Sequence, residues 1–475
     1  MATSPTLRLY AMLKVTPELE EIYKAKDYPK LTAYTEKILQ KPLYGSANLI
    51  SSFGAIAAPS RDWKADFVGD GGSSAPPLDE LAVVYEFRDE GSQNRFFEVT
   101  QKVRKIQPGA DIGGVGADIG VGTADSHWCP GQARLAMFGH RADARRTVNA
   151  DALAGGALYG QNVNVVIVDQ GLNKAAIDPK NWGGGFSWTG IPGSPVTVGT
   201  APRTSHGMMI ARSILDLAPA AVLYDVPLIP DRIASVDKFL DIMSTSSAQA
   251  VYQTILDEID ARRETPPWTG PWILVNAWAI FDRATESLQG NYTENNALDF
   301  GFDHPLIEKV KTAVTAKKID VIFAAGNCGE FCPSRRCGGR DRGPGHSIWG
   351  ANALPEVITA GSVRSDETWA GYSSQGPGPG KNTLAREKPD VGAPSDFCET
   401  DDASVRNSGS STACAVTAGV VAALRSYPGW YQTLVTPQKM RQALIDGARK
   451  TLGPNWNGRT GNGVLDAGGA ISKLP

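Results

Sequence analysis

The sequence predicts an α/β fold, a doubly wound and mainly parallel sheet, with a small α/β module on its N-terminal side. Three observations carry that expectation. From about residue 145 onward, short runs made almost wholly of Val, Ile, Leu and Ala alternate with stretches of helical spacing. Strands apolar at every position are buried on both faces, and strands that alternate with helices belong to a parallel sheet. Before about residue 108 the pattern is different, with helices set among short strands. Between the two lies PGADIGGVGADIGVGTAD (108–125), rich in Gly and poor in large apolar groups, which reads as a linker without a core of its own. The expected organisation is a module over 1–107, a linker over 108–125 and a large domain over 126–475.

Within the module, TLRLYAMLKV (6–15) is strand-like, and 17–40 has a helical spacing interrupted near Pro29. Leu81–Phe87 and Phe96–Val103 read as two strands joined by the polar turn DEGSQN. In the large domain the alternation runs VNVVIVD (163–169), a helix over 206–217, AAVLYDVPLI (220–229), a helix over 248–262, WILVNAWAIF (272–281), a helix over 305–317 and IDVIFAAG (319–326). The stretch 282–304 lacks apolar periodicity and reads as a surface insertion.

Composition narrows the partners. Lys+Arg 47 against Asp+Glu 50 gives a net charge of −3, so no basic field draws the chain to nucleic acid or anionic lipid. No uncharged apolar run approaches the roughly 18 residues that cross a bilayer, and the first residues do not form a signal peptide. With 6 cysteines in 475 residues a disulfide scaffold is not expected either, and the expected location is cytoplasmic.

Four polar residues stand where such a sheet presents chemistry, at strand C-terminal ends and helix N-terminal ends. Asp169 ends a buried strand. His206 begins a helix behind Ser205, a natural cap. Ser411 opens the apolar helix ACAVTAGVVAAL after a Gly, and Asn327 ends VIFAAGN. Alone, each is more often a cap or a satisfied polar group. Together they are the parts of nucleophilic acyl transfer: a hydroxyl, a base to take its proton, a carboxylate to orient the base, and a donor for the oxyanion.

These segments resemble the subtilisin-like (subtilase) serine peptidases. VVIVDQG is similar to the family's D-T/S-G strand, SHGMMIA to H-G-T-x-V-A-G, AAGN to the oxyanion motif and GSSTACA to G-T-S-M-A-x-P. PEVITAGSV (355–363), AGYSSQG (370–376), KPDVGAP (388–394) and GNGVLDA (461–467) match further family segments in the family's order. The resemblance runs from about 145 to 472. It implies a serine endopeptidase with Asp169, His206 and Ser411 as catalytic residues, Asn327 at the oxyanion, and protein or peptide substrates bound along Ala277, Trp278, Ala279, Ala324, Ala325 and Gly326. No cofactor is required by that chemistry. A structural calcium is common in the family, but no ligand cluster here recommends one.

The chain departs from the family at Ser410, Thr412 and Ala415 in the nucleophile motif. It also has Asn276-Ala277-Trp278-Ala279 where the family has S-[LW]-G. The methyl group of Ala279 is expected to crowd the backbone that pairs with substrate. Cys328, Cys332 and Cys337 suit an incomplete zinc site, with Cys398 or His346 as a fourth ligand, a local disulfide, or reduced thiols among Arg335, Arg336, Arg340 and Arg342. The module over 1–107 reads either as a removable propeptide or as a retained regulatory unit, with a regulatory protein partner as a further means of control. The alternative to an enzyme is a catalytically silent subtilase fold acting as a binding module.

Overall fold

The computed structural model describes residues 7–25, 27–39, 41, 56–57, 65–68, 80–87, 89–107, 111–118, 122–124, 139–188, 197–229, 245–266, 268–282, 304–378, 386–399, 405–451 and 453–475. The large sheet has the strand order Val391–Pro394, Ile358–Val363, Asp320–Ala324, Trp272–Asn276, Asn164–Asp169, Val222–Pro227, Trp182–Trp188 and Ala65–Val68. All neighbours are parallel except the last pair, so the doubly wound α/β architecture expected from the sequence is present. The insertion 282–304 lies outside the described residues except for Asp282 and His304.

Two apolar layers sandwich the sheet because successive side chains of a strand point to opposite faces. In the central strand, Val165 and Ile167 join the layer of helices His206–Leu217 and Gly409–Arg425. Val166 and Val168 join the layer of helices Thr245–Arg262 and Pro305–Thr315. Among the described residues no helix is long and apolar enough to cross a membrane.

The N-terminal module is a four-stranded antiparallel sheet in the order Ile56–Ala57, Glu80–Phe87, Leu7–Lys14 and Ile112–Ala117. Two expectations are corrected here. The segment expected as a strand over 96–103 lies inside a helix, Glu90–Ile106. Asp89 caps it by accepting from Ser92 N at 2.8 Å, and Phe96, Thr100 and Val103 share one buried face at helical spacing. Phe96 closes that face against Tyr85 and Phe87 at ring distances of 5.2 and 5.4 Å.

The Gly-rich stretch 108–125 is not a free tether either. Its first half is an edge strand with Ile112 and Val115 buried, since a sheet edge needs backbone donors and acceptors and only alternate apolar side chains. The glycines admit close packing: a β-carbon on Gly116 would lie 2.7 Å from the His304 ring and 2.8 Å from Pro305 Cδ. Through this contact, and through Tyr10 Oη accepting from Leu306 N at 3.2 Å, the module sits on the Pro305–Thr315 helix.

The C-terminal end of the Gly409–Arg425 helix is fixed by charge. Arg425 is fully buried, and its Nε and Nη2 each donate at 2.7 Å to the carboxylate of Asp320. Gln432 Nε2 donates to the same carboxylate at 2.7 Å, and the remaining guanidinium nitrogen reaches the carbonyls of Trp430 and Val435. Removing one member of such a pair strands the other charge without water. Asp320→Ala is expected to destabilise the domain by about 3–5 kcal/mol, read as a lowered urea midpoint. The apolar replacement of both partners, Asp320→Leu with Arg425→Met, should recover most of that loss.

Candidate active site

Strand Asn164–Asp169 delivers a fully buried carboxylate to its C-terminal end. His206 Nδ1 lies 2.7 and 2.9 Å from the two oxygens of Asp169. The helix His206–Leu217 that carries the imidazole is anchored to the turn after Asp169. Ser205 caps it by accepting from Met208 N at 3.2 Å and donates its own hydroxyl to Gly171 O at 2.9 Å. Gln170 Oε1 accepts from His206 N at 3.0 Å. Gly207 permits the approach, because a β-carbon there would fall 2.5 Å from the Gly171 carbonyl.

Ser411 lies in the first turn of helix Gly409–Arg425 and is fully buried. Thr412 Oγ1 donates to Met209 Sδ at 3.7 Å, so the first turns that carry Ser411 and His206 meet. The Ser411 hydroxyl donates to the carbonyl of Ala277 at 3.2 Å. Tyr372 Oη accepts from Gly409 N at 3.1 Å and so fixes the start of the helix.

Asn327 Oδ1 accepts from both the amide and the hydroxyl of Ser410, each at 3.0 Å. An amide N–H can only face an oxygen, so these bonds set which end of the Asn327 amide is which. Its Nδ2 is buried and has no hydrogen-bond partner among the described residues. Ser410 Oγ also accepts from Gly326 N at 3.0 Å. The residue that stands where the family has Thr therefore braces the whole Asn327 turn, a role no sequence signal assigned it.

The expected substrate residues divide by face. Ala277 and Ala279 belong to one apolar layer, whereas the Trp278 side chain is buried in the other, edge-on to Phe323 at 5.2 Å. Trp278 therefore reaches the cleft through its backbone only, as strand alternation requires. Ala279 and Gly326 face one another: a β-carbon on Gly326 would lie 3.4 Å from that of Ala279. Ala324 and Ala325 are buried, and Ala325 N donates to Ala360 O at 2.9 Å. Asn352, which no motif marks, donates to Trp278 O at 3.0 Å and Ala324 O at 2.7 Å and so ties the two walls together.

The cleft holds part of the chain itself. Gly122–Thr123 pairs antiparallel with Trp278–Ala279, Thr123 opposite Trp278 and Gly122 opposite Ala279. Ala124 N donates to Ala277 O at 2.9 Å, and the Ala124 carbonyl accepts from Ser411 N at 3.1 Å. The methyl group of Ala279 does not prevent the pairing, and the residue across from it is glycine.

Cys328 and Cys337 form a disulfide, and Cys332 is disulfide-bonded as well. The zinc reading of Cys328, Cys332 and Cys337 is corrected on this ground, because sulfur in a disulfide offers no thiolate to a metal. Cys398 and Cys414 are free and buried. The expected activation of thiols by nearby arginines therefore does not apply to the three loop cysteines.

A buried carboxylate outside the expected set supports the Asp169 turn. Asp225, on the neighbouring strand, accepts from Leu172 N at 3.0 Å and Gly199 N at 2.8 Å. Burial pushes its pKa up to about 7, the charge of Asp169 adds to that, and the two N–H bonds oppose it.

The model of the Subtilase family matches residues 160–463. No curated protein matches the chain. Among solved structures, the chain is similar to MycP1 from the ESX-1 type VII secretion system, with 18% identity and a TM-score of 0.45, covering 75% of this chain and 91% of that one. It is similar also to MycP1 with the N-terminal propeptide removed (18%, TM-score 0.43, covering 69% and 96%) and to MycP1 from Mycobacterium smegmatis (16%, TM-score 0.44, covering 75% and 91%).

The raised pKa of Asp225 makes a signed prediction. The folded state holds that proton up to about pH 7, whereas the unfolded chain releases it near pH ~3.9. Over that window this group removes stability as pH rises, and above it the loss is complete. Asp225→Asn should therefore gain stability relative to the native chain between pH 5 and pH 8, measured as the difference in urea midpoints at the two values. An identical pH dependence in both proteins would contradict the shift.

Proposed function

Because the chain belongs to the subtilase family of serine peptidases, we propose that it is an endopeptidase whose nucleophile is Ser411, with His206 as general base, Asp169 as its orienting carboxylate and Asn327 as oxyanion donor. The observation that carries this reading is the hydrogen bond from Ser411 N to the carbonyl of Ala124, in a segment paired with Trp278–Ala279. An extended peptide added to a strand edge, with one carbonyl beside the nucleophile, is the arrangement that cleavage requires.

In the first step the Ser411 hydroxyl turns from the Ala277 carbonyl to His206, gives up its proton there and attacks the substrate carbonyl carbon. Asp169 keeps the proton of Nδ1 facing itself, so that Nε2 is the basic atom. The negative charge that develops on the substrate oxygen meets Ser411 N–H and the unspent Nδ2 of Asn327. His206 then returns the proton to the leaving amine, and water releases the acyl group by the same steps in reverse order.

Regulation belongs to the same reading. The N-terminal sheet and the segment Gly122–Ala124 are continuous in sequence, so the module holds a substrate-like strand over the nucleophile until that strand is cut or displaced. The bond after Ala124 is the one presented for cutting. The Cys328–Cys337 disulfide supports an oxidising compartment rather than the cytoplasmic one expected from composition.

The test is intact-mass analysis of the purified chain before and after a fluorophosphonate probe, with Ser411→Ala alongside. The native chain should yield a fragment ending at Ala124 and one adduct, and the variant neither. A chain that is never cut, never labelled and inactive on casein is the silent binding fold instead. In the active enzyme, Asn327→Ala should lower kcat by about 10²–10³ with little change in KM.

A further inference from the structure

The residue two positions before Ala124 meets a charged side chain. Gly122 is buried opposite Ala279, and a β-carbon on it would fall 1.6 Å from Nη1 of Arg336, 2.6 Å from Cζ and 2.9 Å from Nη2. The guanidinium thus covers the α-carbon of Gly122 and occupies the volume that any side chain there would need.

Arg336 is not a loose surface cation. Its guanidinium lies 4.6 Å from the centre of the Phe281 ring. The next residue, Cys337, is bonded to Cys328, which adjoins Asn327. Further bonds fasten the loop to the floor of the site: Ser334 N donates to Asn327 O at 2.8 Å, Cys337 N to Ser334 O at 3.0 Å and Gly338 N to Phe281 O at 2.9 Å. The tip of an arginine can still swing aside, but doing so here gives up its place on the Phe281 ring. A side chain at this position is therefore disfavoured by a finite factor rather than forbidden.

We propose that Arg336 is a specificity-determining residue that selects glycine at the third position before the cleaved bond, so that preferred substrates are extended peptides carrying Gly-X-Ala ahead of the cut. The substrate meaning of this assignment rests on the peptidase reading above. The contact between Arg336 and the third residue does not, and the two can be tested apart.

The first measurement uses the uncut full-length chain in the Ser411→Ala background and follows amide hydrogen exchange at Ala124 and across 277–281. Gly122→Ala should speed exchange at Ala124 about tenfold, the scale of one displaced guanidinium–ring contact. Adding Arg336→Ala should shrink that effect to about twofold or less. Exchange unaffected by Gly122→Ala, or accelerated equally with and without Arg336, overturns the proposal.

The second measurement compares two fluorogenic peptides, one carrying Gly-Thr-Ala and the other Ala-Thr-Ala before the cut, with the processed enzyme. The native enzyme should favour the first about tenfold in kcat/KM, and Arg336→Ala should cut that preference to about twofold or less by raising the rate on the second. Equal rates with the native enzyme overturn the proposal while leaving the peptidase reading intact. If neither peptide is hydrolysed and the exchange result holds, the Arg336 subsite stands as a binding feature and the peptidase reading fails.

Discussion

The hydrogen bond from the Ser411 amide to the Ala124 carbonyl can form only if three separately built parts keep register at once. The helix that begins at Gly409 must start at the right height, which Tyr372 fixes by accepting from Gly409 N and Arg425 fixes from the other end through Asp320. The strand Trp278–Ala279 must present its edge, which Asn352 secures by bridging Trp278 O and Ala324 O. The segment Gly122–Ala124 must enter in the right phase, since a slip of one residue would reverse the facing of every side chain. Ala277 O joins all three, accepting from both Ala124 N and Ser411 Oγ. The floor of the cleft is thus a shared set of backbone acceptors, and few side chains are needed to define it.

That dependence on backbone explains which features the sequence disclosed. Asp169, His206, Ser411 and Asn327 were legible because each sits at a local boundary where a buried run meets a turn or a helix start. A polar residue at such a boundary carries information in its immediate neighbours. The parallel sheet was legible for the same reason, as runs like VVIV and VIFAA have no other plausible home. The Gly-rich stretch 108–125 was not. Its two halves are held by hydrogen bonds of the main chain, one to the edge of Leu7–Lys14 and one to Trp278–Ala279, and the side-chain pattern says little about either. The helix Glu90–Ile106 was misread because its apolar residues are few enough to fit a short strand, and the Asp89 cap that decides the matter was taken as part of a turn. Trp278 was assigned to the cleft from its position in a motif, whereas strand alternation turns its ring into the core.

The buried polar groups divide into those that are fully spent and one that is not. Ser410, Ser205 and Asn352 use their hydrogen bonds on backbone or on Asn327, and their effect is to hold turns rigid. Asn327 Nδ2 stands apart as a buried donor without a partner among the described residues. Leaving such a donor unmatched typically costs about 1–3 kcal/mol in a folded protein. A site that sustains this cost in the resting state recovers it when a negative oxygen arrives, which is the sense in which oxyanion stabilisation is preorganised rather than induced. Ser410 enforces the arrangement by occupying the other end of the amide, so Asn327 cannot flip to relieve itself.

The same accounting bears on what cutting after Ala124 would and would not accomplish. Hydrolysis of one bond turns an intramolecular contact into a bimolecular one, but it removes none of the surfaces that hold the module. Tyr10 and the glycine-lined edge at 112–117 still pack on His304, Pro305 and Leu306, and Ala65–Val68 still extends the large sheet beside Trp182–Trp188. A strand at a sheet edge and an apolar face are both sources of persistent affinity. The module would therefore stay on the cleft as a bound inhibitor after the cut, with dissociation set by those contacts rather than by Gly122–Ala124. Cleavage and activation are then distinct events on this scaffold, and the slower of them is the parting of two packed surfaces.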